Sequence, residues 1–134
     1  MQKYLLDTNI CVFLLRGKFN IEKKIIAKGL DNCFISEITV SELLYGIECD
    51  YINSQRNREK VEDLVDLLTV VPIKDALQEY AKQKAQLKRQ GKLIDDLDIF
   101  IGATAIANDM ILVTDNEKHF NRLSNIKIEN WVKK

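Results

Sequence analysis

Short apolar runs alternate along the chain with longer stretches in which apolar residues recur at helical spacing. Tyr4-Leu5-Leu6, Cys33-Phe34-Ile35, Val70-Val71 and Ile111-Leu112-Val113 read as buried strands, each too short to be a helix. The first helix is expected over 9–15, with Gly17 as its stop, and a second around Ile21, Ile25 and Ile26, ending near Gly29. Thr39 opens a helix that runs through Leu43, Leu44 and Ile47. Val61, Leu64, Val65 and Leu68 share one face of a helix over 59–68, and another over 75–89 ends at Gly91. The stretch 97–108 is apolar nearly all round, which predicts a buried helix. Ile126, Ile128 and Trp131 suggest an edge strand in the tail.

Strands alternating with helices predict an α/β fold: three layers, with a mostly parallel central sheet flanked by helices. In such sheets ligands bind beyond the carboxyl ends of the strands. The polar residues that follow the apolar runs are therefore the first candidates for chemistry. They are Asp7-Thr8-Asn9, Ser36-Glu37 and Thr114-Asp115-Asn116.

Composition narrows the class only a little. A chain of 134 residues, 46% hydrophobic and 30% charged, fits one globular domain over 1–134, and no linker or repeat divides it. Twenty basic and twenty acidic residues give a net charge of zero. That sum neither advertises nor excludes a nucleic acid, because it can hide a basic rim around an acidic pit. Cys11, Cys33 and Cys49 are odd in number, lack C-x-x-C spacing and lie in apolar neighbourhoods, so buried, reduced thiols are expected. With no visible targeting segment and no apolar run of membrane length, the expected location is the cytoplasm.

Each candidate carboxylate has a structural alternative. Asp7 could be the N-cap of the first helix. Thr39 and Glu42 have the spacing of a capping box. Asp98 could act on the helix dipole, a role open to Asp95 and Asp96 too. Asp115 beside Asn116 could form an Asx turn. Asp98 stands out because it shares a helical stripe with Gly102 and Ala105, as if room were kept beside it, and no basic residue lies one turn away.

Several acids near strand ends would repel one another, so such a cluster is stable mainly around a cation. Oxygen-only donors suit magnesium or manganese, and His119, the single histidine, reads as a solvated loop residue. Such an ion can activate water and neutralise charge on a phosphate under attack. Lys82, Lys84, Lys88, Arg89 and Lys92, with Arg16 and Lys18, read first as solvated helix faces and second as a rim for a phosphate backbone.

Taken in order, Leu5-Leu6-Asp7-Thr8-Asn9, Ile38-Thr39-Val40-Ser41-Glu42-Leu43 with Tyr45-Gly46, Asp98 through Ile106, Leu112-Val113-Thr114-Asp115-Asn116 with Phe120, and Ile128-Glu129-Asn130-Trp131 resemble the PIN-domain toxins of the VapC type. The resemblance spans essentially the whole chain. It implies a PIN fold, a homodimer, a bound Mg2+ or Mn2+, endonuclease action on RNA and a cognate antitoxin that blocks the site. It places the metal on Asp7, Glu42 and Asp98, with Asp115 as the fourth acid and Asn116 or Glu117 as substitutes. Thr8, Asn9, Thr114 and Asn116 would orient the acids. A structure-specific DNA nuclease and an inert binding module of the same fold are the alternatives.

Overall fold

All the expected strands lie in one sheet. The structure is a computed structural model and describes residues 1–50 and 52–132. Strands β1 (Tyr4–Leu6), β2 (Cys33–Ser36), β3 (Thr69–Val71), β4 (Ile111–Val113) and β5 (Ile128–Glu129) lie in the order β3-β2-β1-β4-β5. Every neighbouring pair is parallel, and β1 sits at the centre with Leu5 opposite both Phe34 and Leu112. The tail contributes the edge strand expected of it, and the fold is the expected α/β arrangement.

The helices are α1 (Thr8–Leu15), α2 (Ile21–Lys28), α3 (Glu37–Cys49), α4 (Ser54–Leu67), α5 (Leu77–Gln90), α6 (Asp96–Ala107) and α7 (Glu117–Phe120). Side chains alternate across β1, so its unbroken apolar run feeds two cores. Tyr4 and Leu6 join Ile10, Ile25, Leu43 and Leu64 on one side of the sheet. Leu5 joins Leu87, Ile99, Leu112 and Phe120 on the other. Trp131 closes the first core, its ring 5.5 Å from that of Tyr4.

Several expectations need correction. Helix α3 starts at Glu37, because Ser36 is its N-cap and the Ser36 hydroxyl accepts the Ile38 N–H at 3.0 Å. Thr39 and Glu42 therefore lie inside the helix and form no capping box. Helix α4 begins five residues before the expected start, since its first turn, Ser54-Gln55-Arg56-Asn57, has no apolar period to mark it. Helix α7 is a single turn, too short for periodicity to reveal, and it holds His119, which the sequence suggested lay in a loop. Cys11 and Cys33 are buried, but Cys49 is exposed. It stands two residues from the buried Ile47 and so on the opposite face of α3. Burial pushes the Cys33 thiol up to about 11 and the Cys11 thiol further. Among the described residues, no helix is long and apolar enough to cross a membrane.

The small stripe on α6 keeps no open space at Gly102. A Cβ added there would clash with Leu123 Cδ1 and lie 3.4 Å from both Phe120 and Ile126. The glycine lets α7 and the segment after it pack against α6. Overpacking a buried contact costs about 1–3 kcal/mol, more than the roughly 1 kcal/mol a helix gains by losing a glycine. Gly102→Val, which adds a branched side chain and recovers less propensity, is expected to lower stability by about 2 kcal/mol, read from the urea midpoint. An unchanged midpoint would contradict this packing.

Candidate active site

Asp7 follows the last residue of the central strand, and its N–H extends the ladder by donating to the Val113 carbonyl at 2.9 Å. Its side chain is taken almost out of water, leaving the residue 5% exposed. Oδ1 accepts the Thr8 N–H at 2.8 Å and caps α1, while Oδ2 accepts the Thr114 hydroxyl at 2.7 Å. Capping and the site thus use different oxygens of one carboxylate. Burial raises its pKa from 3.8 to about 6. The hydrogen bonds from Thr114 and Thr8 oppose that rise, and the negative charges of Asp98 and Glu42 add to it.

Glu42 projects from the second turn of α3. Its Oε1 accepts the Thr8 hydroxyl at 2.6 Å, and that hydroxyl lies 3.1 Å from the hydroxyl of Thr39. Asp98 projects from the first turn of α6, with 24% of its side chain exposed. Burial raises its pKa, and the charges of Asp95 and Glu42 push it in the same direction. It shares the first turn of α6 with Asp96, while Asp95 caps the helix by accepting the Leu97 N–H at 3.1 Å. Asp96 is likewise engaged, 2.8 Å from the Lys84 ammonium.

The structure therefore brings Asp7, Glu42 and Asp98 into one electrostatic group, drawn from β1, α3 and α6. Asp115, after β4, accepts from the Asn130 amide through Oδ1 at 3.1 Å. The Asn116 N–H donates to the Thr114 hydroxyl oxygen at 2.9 Å, fixing the side chain that holds Asp7. Asn9 Oδ1 is buried with no hydrogen-bond partner.

His119 is a neighbour of the site that the sequence concealed. Its Nδ1 lies 4.0 Å from Asp98 Oδ2 and 3.0 Å from the Asn116 amide nitrogen. The signal available was its position three residues after Asn116, which places both on one face of a single helical turn. Asn130, which holds Asp115, lies in the tail motif but carries no local sign of that contact.

The donors suit a hard cation, because every candidate ligand is an oxygen and the carboxylates repel one another. No ready cage exists: among the described residues, no three His, Cys, Asp or Glu groups are placed to hold a metal ion together. Magnesium does not require one, since it binds through one or two carboxylates and keeps several waters. The unpartnered Asn9 oxygen, two residues after Asp7, adds a buried acceptor of the same hard type. The residues present fit such an ion.

Residues 4–126 match the PIN domain family. Ribonuclease VapC2 of Haemophilus influenzae is 36% identical over 98% of this chain and 100% of its own length. The tRNA(fMet)-specific endonuclease VapC of Shigella flexneri is 31% identical over 98% of this chain and 99% of its own. The crystal structure of DNA-bound VapBC from Salmonella typhimurium superposes with a TM-score of 0.91 and 32% identity, covering 98% of this chain and 99% of that one.

The raised pKa of Asp7 has a consequence for stability. A carboxyl whose pKa is higher folded than unfolded favours the folded state when protonated. The cost of its charge is absent below pH 3.8 and is complete above about 6, where it reaches roughly 3 kcal/mol. Asp7→Asn keeps the cap and removes the charge. It is expected to raise the urea midpoint near neutral pH, with the gain vanishing as pH falls below 3.8. A gain that is the same at both pH values would refute the buried-charge account.

Proposed function

The chain belongs to the PIN domain family, among the VapC-type ribonucleases of toxin–antitoxin pairs, and we propose that it is a divalent-metal-dependent endoribonuclease using Asp7, Glu42 and Asp98. The observation that carries this reading is that the charges of Glu42 and Asp98 both bear on the buried Asp7, at the carboxyl edge of the sheet. The three acids come from separate elements, while other residues, Ser36 and Asp95, cap α3 and α6.

Asp7, Glu42 and Asp98 would hold Mg2+, one or two of them directly and the rest through its waters, with Mn2+ able to substitute. The bound ion supplies a lowered pKa for water and neutralises charge on the phosphodiester. The chain's own residues supply placement. Thr114 and the Thr8 N–H fix Asp7, and the Thr8 hydroxyl fixes Glu42, so both acids are oriented before substrate arrives. A nearby cation favours the charged form of Asp7 and reverses the rise that burial causes. Asp115 is the fourth acid, with one oxygen held by Asn130. Asn9 and Asn116 complete the set that supports the acids.

This reading covers the whole chain, 1–134, as one PIN domain in the cytoplasm, acting as a homodimer restrained by a cognate antitoxin. RNA is the substrate, and transfer RNA is the first class to test because one relative is named for it.

The deciding experiment incubates total cellular RNA, with single- and double-stranded DNA alongside, with the purified chain in Mg2+, in EDTA, and as Asp98→Ala. Discrete RNA fragments are expected only from the parent protein with metal. EDTA or the substitution should lower the rate by about two orders of magnitude or more. Cleavage that survives both would overturn the carboxylate mechanism, and cleavage of DNA alone would overturn the substrate.

A further inference from the structure

A groove of about 400 Å³ reaches the site at Glu42, which forms part of its wall with Thr8. It runs between α1, α3 and α4. Val12 and Leu15 from α1, Ile47 from α3 and Val61 from α4 give each wall an apolar part. Arg16, the C-cap of α1, and Lys60, on α4, add two cations. Both are exposed, and among the described residues neither forms an ion pair. Asp50 completes the lining. Its carboxylate accepts the Asn53 N–H at 3.3 Å and the Asn57 amide at 3.2 Å.

Gly46 is the informative member of this lining. It sits inside α3, where glycine costs about 1 kcal/mol relative to alanine. Its φ is not positive, so no backbone conformation demands it. Nothing lies within 4 Å of a Cβ added there, so packing does not demand it either. What the glycine leaves is open space over a groove that also holds Arg16, Lys60 and Glu42.

We propose that this groove receives the unpaired nucleotide adjoining the scissile phosphodiester, with its phosphate on Arg16 and Lys60 and its base in the space over Gly46. The proposal rests on the nuclease reading above and names the part of the substrate that this wall of the site holds. A nucleotide fits each feature. Its phosphate matches Arg16 and Lys60, which among the described residues form no ion pair, its flat base suits the apolar lining, and base N–H groups can donate to Asp50. The volume lies within the roughly 300–1,000 Å³ typical of small-ligand sites.

The test is equilibrium binding of a fluorescent single-stranded RNA oligonucleotide to full-length Asp98→Asn protein across a salt series, so that binding is read without cleavage. Gly46→Leu in that background fills the groove from within a helix that prefers leucine. It is expected to weaken binding by about tenfold or more while the melting temperature holds or rises. Arg16→Ala with Lys60→Ala should reduce the slope of log affinity against log salt by about 1.4, or roughly 0.7 for each lost phosphate contact on a single strand. A side chain with only a structural role would leave that slope alone.

RNA binding by Gly46→Leu equal to that of its parent would overturn the proposal. Normal RNA binding by Gly46→Leu with lost binding of the co-expressed antitoxin would do the same and assign the groove to a protein partner. Groove-dependent binding by a parent protein that cleaves no RNA would sink the nuclease reading and leave the nucleotide site standing.

Discussion

The central strand ends in a carboxylate that folding removes almost completely from water. Asp7 cannot be moved to relieve this cost, because its N–H belongs to the β1–β4 ladder and one of its side-chain oxygens caps α1. The remaining oxygen is held by Thr114, which follows β4. The sheet order sets this geometry. With β2 and β4 both parallel to β1, the residues after three adjacent strands converge on one edge. Glu42 and Asp98 then bring further negative charge to a group already disfavoured by desolvation. A fold that concentrates like charge in this way gives up stability locally and gains a place where a cation binds favourably.

Most of the architecture was legible because it depends on apolar pattern. The strand runs, the Gly29 and Gly91 stops and the buried helix over 97–108 follow from short-range periodicity, and the structure keeps them. The differences have two causes: a local apolar signal that is missing or imitated, and a contact that only packing sets. The start of α3 was misread because Thr39 and Glu42 imitate a capping box while Ser36 does the capping. The first turn of α4 is polar, and α7 is one turn long. The place of His119 beside Asp98 depends on how α7 packs against α6.

The carboxylates were visible as candidates, but their competing roles could not be separated from sequence. Each of Asp7, Glu42 and Asp98 had a respectable local explanation. The structure separates the roles by showing which residue does the local job. Ser36 caps α3, Asp95 caps α6, and Asp7 caps α1 with only one of its two oxygens. Asp115 is the opposite case. It shares a motif with Thr114 and Asn116, yet its side chain turns to Asn130, fifteen residues later. Adjacency in a motif fixed its position in the chain and left its direction open.

The two helical glycines show how residues with similar local cost can serve opposite ends. Gly102 in α6 and Gly46 in α3 each weaken a helix by about 1 kcal/mol relative to alanine. At Gly102 the vacated volume is filled by Leu123, with Phe120 and Ile126 close behind, and the gain is a tight junction that sets α7 against the acid-bearing helix. At Gly46 the volume stays open to solvent beside Glu42. Packing accounts for the first glycine and not the second. Sequence spacing cannot tell them apart, since both sit among apolar helical neighbours. The difference lies in what the rest of the chain places over each one. One glycine helps to hold the catalytic edge rigid, and the other keeps a path to it clear.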